Sequence, residues 1–380
     1  MTERASVATP LAASPALPTR QSAMSEFLRR LRRNSEYIAI PLFALIIAAI
    51  LFSLFLLSIG RAPADFVAYV WRGGFGTAFS LQNTLERSAP LILTALAVAI
   101  PARIGLIMIG GEGALVVGGF AAAAVATPLI GVLPPAPTLI IMFVVAALVG
   151  AVWVGLAGYL RYARGVNETI SSLLLTYIGI AIMNFFVEGV LRDLTNPNKP
   201  STKPLGEAYM VGKMPGTDVH WGFAVGVLFA ILLQVLMSRT TFGFAARIVG
   251  GNFRAALAQG LKVGRIIVVS TMIAGACAGV AGFYEVAAIQ GRANASLAAG
   301  YDFTGILVSF LARHNPIAIV PVAVLFGGLV ASGGLIQRRM GLPDATVLVL
   351  QGLIFLVLLV SETLYGRFSF FRDDKGSDRT

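Results

Sequence analysis

Long apolar runs separated by short polar breaks occupy most of this 380-residue chain. Several reach the roughly 20 residues an α-helix needs to cross a bilayer. They predict helices at about 38–59, 88–107, 109–131, 138–160, 168–190, 220–238, 264–288, 299–312, 316–335 and 344–362. Two runs are broken. After Ala99 the chain reads IPARIGLIMIGGEGALVVGGF, with Pro101, Gly105, Gly110, Gly111 and Gly113 in close succession around Glu112. In GRANASLAAGYDFTGILVSFLARHNP, the helix after Gly300 is short and ends at Asn315-Pro316. Helix is hard to sustain through such Gly/Pro-rich stretches. At membrane depth irregular backbone survives only where protein buries it or it lines a cavity. Short interrupted segments in both halves predict an all-α polytopic membrane protein of about ten transmembrane helices, built as an inverted repeat with broken helices.

Composition supports the membrane assignment. Hydrophobic residues make up 57% of the chain and charged residues 12%, against roughly 25% charged in a soluble domain. The net charge of +11 is read as topology and contact with anionic lipid, because no basic stripe interleaves with aromatics as a nucleic-acid surface requires. Arg29, Arg30, Arg32 and Arg33 precede the first run, Arg161 and Arg164 follow the fourth, and Arg367, Arg372, Lys375 and Arg379 lie at the end. The stretch 239–265 carries Arg239, Arg247, Arg254, Lys262 and Arg265 and no carboxylate. Positive charge concentrates on cytoplasmic loops, so both termini and this stretch are expected in the cytoplasm of a bacterial inner membrane. The organisation expected is a disordered basic tail at 1–37, a transmembrane domain at 38–365 with a cytoplasmic loop at 239–265, and a cytoplasmic tail at 366–380. The loop 191–218, mixed in charge and rich in proline, suits the outer side. Arg338 and Arg339 fall on that side against the charge bias. Either the segment 299–335 is re-entrant or these arginines serve another purpose.

The chemistry-bearing residues are few. Cys277 is the sole cysteine, and His220 and His314 are far apart and read as interfacial or turn residues. No metal site, cofactor or catalytic constellation is expected, and no GxxxxGK[ST] loop occurs. Any ATP that drives this protein must bind a different chain. Polar groups inside apolar runs should face the bundle interior or a vestibule. Glu112, Asn184, Tyr284 and Glu285 are therefore candidates for a translocation pathway, with Glu112 equally suited to bracing the Gly-rich break. Glu188, Gln290 and Asp302 read as interfacial residues at span ends. Asn167 and Glu168 read as a helix cap with a first-turn acid. Gly275, Gly279 and Gly282, with Gly327 and Gly328, suit close helix packing. The basic, Gly/Ala-rich loop at 239–265 reads as a docking element that accepts work from a soluble partner.

Six segments carry a family resemblance: IGLIMIGGEGALVVGGFAAA at 104–123, GVNETISSLLLTYI at 165–178, TFGFAARIVGGNFRAALAQGLKV at 241–263, AGACAGVAGFYEVA at 274–287, GYDFTGILVSFLARHNPIAIVPVAVLFGGL at 300–329 and LQGLIFLVLL at 350–359. In this order they resemble the permease subunits of ABC importers in the branched-chain amino acid/ribose/simple-sugar permease family, nearest its nucleoside and simple-sugar branch. The resemblance implies that Gly243, Arg247, Gly250, Asn252, Ala255, Ala256 and Gly260 match the loop whose coupling helix sits in a groove of the ATPase subunit. The basic Arg254 is taken with them. It also implies ABC ATPase subunits, a second permease subunit, identical or related, and an extracytoplasmic solute-binding protein as partners. Transport of a nucleoside or simple sugar by alternating access would follow. Met108 and Ala114 depart from the family pattern, which there has Asn and Gln. Other readings of the residues are a permease for a different small polar solute such as an amino acid, a gradient-driven secondary transporter, or a membrane-anchored scaffold.

Overall fold

A computed structural model describes residues 42–195, 199–343 and 345–362. The tails expected at 1–37 and 366–380, with their arginines, lie outside that range. The chain divides into two compact units, Met1–Ile50 with Leu356–Thr380, and Leu51–Phe355. Within the described residues of the first, Leu42–Ile50 and Leu356–Ser361 are helical and largely apolar. Everything below concerns the second.

The helices in chain order are α1 (Leu42–Ser58), α2 (Pro63–Gly74), α3 (Ala78–Ala102), α4 (Gly111–Leu129), α5 (Pro135–Arg164), α6 (Glu168–Glu188), α7 (Gly222–Arg239), α8 (Thr241–Gly251), α9 (Phe253–Ala258), α10 (Val263–Tyr284), α11 (Tyr301–Leu311), α12 (Pro316–Met340) and α13 (Ala345–Glu362). Among the described residues, seven helices are long and apolar enough to cross a membrane, and an eighth if α1 and α2, bent by 115°, count as one. This is a multi-pass membrane protein, and each of the ten expected segments contains helix. Three details differ from expectation. The amphipathic α2 has no counterpart in the expected list; its shortness and its polar face hide it from a search for long apolar runs. Helix α3 starts at Ala78 rather than near 88, because Thr77 caps it by accepting the Ser80 N–H at 3.0 Å. Helix α11 has only 11 residues. At 1.5 Å per residue it spans about 16 Å, roughly half of a hydrocarbon core.

The eighth segment is tied to other parts of the chain before and after α11. Its irregular start, 291–300, pairs with the strap 199–221: the Leu205 N–H donates to the Gly291 carbonyl at 2.9 Å and the Thr202 N–H to the Ala293 carbonyl at 2.9 Å. After α11 the chain turns at Arg313 and His314, both in left-handed backbone, and the His314 carbonyl accepts from Arg103 Nε at 2.9 Å. Arg103 ends α3 beside α8; a Cβ at Gly250 would lie 3.1 Å from Ile104 Cα. The segment 106–129 mirrors this pattern, irregular from Leu106 to Gly110 and then helical as α4. Arg338 and Arg339, in the last turn of α12, lie at the end opposite α8 and α9.

Backbone contact between glycines holds the bundle together. A Cβ added at Gly150 of α5 would lie 2.8 Å from Gly279 Cα of α10, and one at Gly118 of α4 would lie 2.7 Å from the same atom. On the other side, a Cβ at Gly74 would meet the Gly328 carbonyl at 2.8 Å, and one at Gly327 the Thr84 carbonyl at 2.8 Å. Thr84 Oγ1 also donates to the Gly74 carbonyl at 2.6 Å. Lipid tails are as apolar as leucine, so helices in a bilayer associate through such close packing rather than a hydrophobic drive. The pairs α5 with α10 and α12 with α3 are the same pair with the halves of the chain exchanged, as an inverted repeat requires.

Candidate functional site

The two broken segments meet where their helices begin, deep in the bundle. Glu112, in the first turn of α4, accepts the Gly300 N–H on Oε1 at 2.6 Å and the Asp302 N–H on Oε2 at 2.8 Å. Asp302, in the first turn of α11, accepts the Gly111 N–H on Oδ2 at 3.0 Å. Each acid therefore caps the other helix. The first N–H groups of a helix have no partner within it and carry its positive dipole end. A buried unpaired N–H costs roughly 1–3 kcal/mol, so these bonds stabilise two helix starts buried by protein. Glu112 and Asp302 are 3% and 1% exposed. Asp302 is not the interfacial residue expected from its place at a span end. Its position after Gly300-Tyr301 parallels that of Glu112 after Gly110-Gly111, and this parallel was the sequence signal that could have identified it.

Close packing fixes the geometry. A Cβ at Gly110 would lie 2.7 Å from Ser172 Cβ, and one at Gly113 would lie 2.7 Å from Thr176 Cα. The Ile109 N–H donates to Ser172 Oγ at 3.1 Å. α6 itself starts at Asn167, whose Oδ1 accepts the Thr169 and Ile170 N–H groups, while Glu168 pairs with Arg161 at 3.2 Å. Beside this junction lies a cavity of about 330 Å³ lined by Glu112, Thr176, Tyr177, Gly300 and Phe303 among others. Tyr177 and Phe303 are exposed at its mouth. Thr176, Tyr177 and Phe303 were not singled out in the sequence, since on apolar helices they look like lipid-facing residues.

The remaining pathway candidates separate. Glu285 begins a π-helical turn, Glu285–Gln290, that continues α10. It is buried, lies within electrostatic reach of Glu112 and near the Tyr301 hydroxyl and Arg87, and is 3.4 Å from Gln290 Nε2. It joins the polar cluster behind the cavity. Tyr284 stacks on His220 with ring centroids 5.9 Å apart and does not line the cavity. Asn184, half-buried on α6, does not line it either. Met108 and Ala114 are buried.

The basic loop folds as two short helices. Thr240 caps α8 through the Gly243 N–H at 3.2 Å, and Asn252 caps α9 through the Ala255 N–H at 3.0 Å. Gly250 lets α8 touch the turn after α3, and Gly260 takes φ +76° to end α9. Arg247, Arg254 and Ala255 are exposed, whereas Ala256 is buried and seats α9 on the bundle. Phe244, Phe253 and Leu257 are large apolar side chains left exposed on this surface. The sequence alone did not mark them, because nothing in it says which face of a six-residue helix points inward.

His220, at an isolated bridge to Lys213, is buried, and His314, in the turn after α11, is half-buried. His220 Nδ1 accepts the Gly222 N–H at 3.0 Å, and His314 Nδ1 lies 2.9 Å from Ser309 Oγ. Burial pushes both imidazoles down to about 4, with Arg103 and Arg313 adding to the effect at His314. Between the unfolded value near 6.5 and 4, the unfolded chain binds more protons than the folded one. Stability is therefore full above about pH 6.5 and falls as the pH drops through that window. Thermal melting of the detergent-solubilised protein from pH 7.5 to 4.5 should show this fall, and His220→Gln should flatten it. An unchanged slope in the variant would exclude His220 as a source.

Comparison with known proteins agrees with this architecture. Residues 80–359 match the family described as branched-chain amino acid transport system, permease component. The chain is 32% identical over 318 residues to the glucose ABC transporter permease protein TsgB13 of Haloferax volcanii, covering 81% of this chain and 83% of that one. It is 30% identical over 337 residues to the guanosine ABC transporter permease protein NupP of Bacillus subtilis, covering 87% and 95%. It is 25% identical over 342 residues to the nucleoside ABC transporter permease protein NupB of Lactococcus lactis, covering 87% and 93%. With a family match over residues 80–359, glycine-packed membrane helices and two broken segments joined at their starts, this chain belongs to the branched-chain amino acid transport system permease family.

Proposed function

We propose that this chain is the membrane-spanning permease subunit of an ATP-driven importer for a nucleoside or simple sugar. The reciprocal capping of α4 and α11 carries the choice of solute. Free N-termini of broken helices in a membrane attract anionic groups such as a substrate carboxylate. Here Glu112 and Asp302 already occupy them, so those donors are not open to a substrate anion. That leaves a cavity with polar and aromatic walls, Thr176, Tyr177 and Phe303, which suits an uncharged ring bearing hydroxyls better than an amino acid. The named relatives, permeases for glucose, guanosine and nucleosides, point the same way. The cavity opens beside the exposed faces of α6 and α11, so a second permease subunit would complete its wall. ATPase subunits would dock on α8 and α9 at the cytoplasmic end, through Arg247, Arg254, Ala255, Phe253 and Leu257. Both chain termini would share that side in a bacterial plasma membrane, and a solute-binding protein would deliver from the other.

The test is uptake into proteoliposomes holding the permease, its ATPase subunits and its binding protein, with labelled guanosine, glucose and leucine compared. Uptake of leucine above the other two would overturn the solute assignment. Uptake that persists without any ATPase subunit would favour a gradient-driven carrier. Docking has its own readout. Truncating a buried aromatic anchor costs about 2 kcal/mol, so Phe253→Ala should weaken ATPase-subunit binding by about 30-fold. Ala255→Trp and Arg247→Glu should uncouple uptake from ATP while the protein still inserts. Wild-type affinity and uptake in all three would refute docking at this surface.

A further inference from the structure

The outward placement of Arg338 runs against the charge bias of the rest of the chain, and the cavity it lines gives a reason. This cavity, about 730 Å³, lies at the end opposite α8 and α9, between α2, α3, α12 and α13. Arg72 from the last turn of α2, Arg338 from the last turn of α12 and Arg87 of α3 all line it. No carboxylate lines it among the described residues. Ion pairs among those residues join Arg161 to Glu168 and Lys213 to Asp218, so neither Arg72 nor Arg338 is neutralised by one. Arg87 lies toward Tyr301 and Glu285 and serves that cluster. The first turns of α3 and α13 also face the cavity through Phe79 and Ala345, adding the positive ends of two helix dipoles. Two outward arginines therefore converge on a space that no carboxylate lines among the described residues.

The walls are amphipathic. Phe79 is 75% exposed and Leu348 60%, and Trp71 beside Arg72 is 64% exposed. Tryptophan favours the headgroup level of a bilayer, where its ring meets acyl chains and its N–H meets water. A guanidinium presents a planar fork of donors that matches phosphate oxygens in pairs. An ionic ceiling, an aromatic belt and an apolar flank fit one molecule that is anionic at one end and hydrocarbon at the other. The geometry points to a binding site for the phosphate of an anionic phospholipid, taken from the leaflet at this end, held by Arg72 and Arg338 with its chains along Phe79 and Leu348. Bound lipid would tie α2 to α12 and α13 at the mouth of the bundle.

The assembled transporter in nanodiscs of phosphatidylcholine, with spin-labelled phosphatidylglycerol or spin-labelled phosphatidylcholine added, tests this by the fraction of immobilised label. Wild type should immobilise phosphatidylglycerol preferentially. Each guanidinium near a lipid surface contributes about fivefold, so Arg72→Gln/Arg338→Gln should lower that preference by about 25-fold. Arg72→Lys/Arg338→Lys, which keeps the charge, should retain most of it. Loss in neither pair, or equal loss in both, would overturn the proposal. So would competition by free inorganic phosphate that releases the labelled lipid as well as unlabelled phosphatidylglycerol does. A Gln pair that keeps its lipid preference but loses affinity for the solute-binding protein would reassign the cavity to that partner's carboxylates.

Discussion

Glu112→Ala is expected to reduce ATP-driven uptake below about a tenth of wild type. The side chain is 3% exposed and accepts two backbone N–H groups, from Gly300 and Asp302. Removing it orphans both, at about 1–3 kcal/mol each, or about 2–6 kcal/mol in total. Since a factor of ten corresponds to about 1.4 kcal/mol, this is enough to let the start of α11 unwind and change the wall of the cavity. Glu112→Gln keeps one acceptor oxygen and should lie between. Asp302→Ala removes the reciprocal cap on Gly111. Because both acids brace one junction, the double variant should be less impaired than the sum of the singles. Uptake per inserted protein, measured on vesicles with matched amounts of the assembled complex, is the readout. Wild-type kinetics in Glu112→Ala would show that the junction does not govern transport.

A larger loss should come from Gly279→Leu, which is expected to leave little folded protein in the membrane. The site has no side chain that could yield. A Cβ there would press on the Ala146 carbonyl and lie 3.2 Å from Gly150 Cα, both on α5. Overpacking a well-packed core costs about 1–3 kcal/mol, and backbone on both sides puts leucine at or beyond the top of that range. Gly279→Ala provides a graded test with a definite sign. Alanine is a better helix former than glycine by about 1 kcal/mol, so an open site should gain from the exchange. Gly352 on α13 is such a site, with nothing within 4 Å of its Cβ position. Thermal melting should therefore show Gly352→Ala neutral or stabilised and Gly279→Ala destabilised. Equal effects would refute the close α5–α10 packing.

The comparison between these two glycines also shows where sequence reading stops. Both sit in apolar helices and look alike in the chain. Only the neighbour decides: α10 meets α5 at Gly279, and α13 turns Gly352 to open space. The same holds for acids. Glu112 and Asp302 both stand two residues after the glycine that precedes a helix, yet by sequence only Glu112 reads as a functional candidate, because Asp302 stands near the end of an apolar run. Their partnership depends on contacts across about 190 residues.

By itself the sequence determined the number of apolar segments, the two breaks, the helical class and the basic loop at 239–265. These follow from local physics: the length a bilayer demands, the cost of Gly and Pro in a helix, and the uneven charge of loops. Tertiary structure decided which broken segments meet, which face of α9 is open, that irregular chain with a short 3-10 turn leads into α11, and that Arg72 and Arg338 line one cavity. Such facts depend on which surfaces come together, and helices in lipid choose partners by shape at atomic contact rather than by hydrophobic pattern.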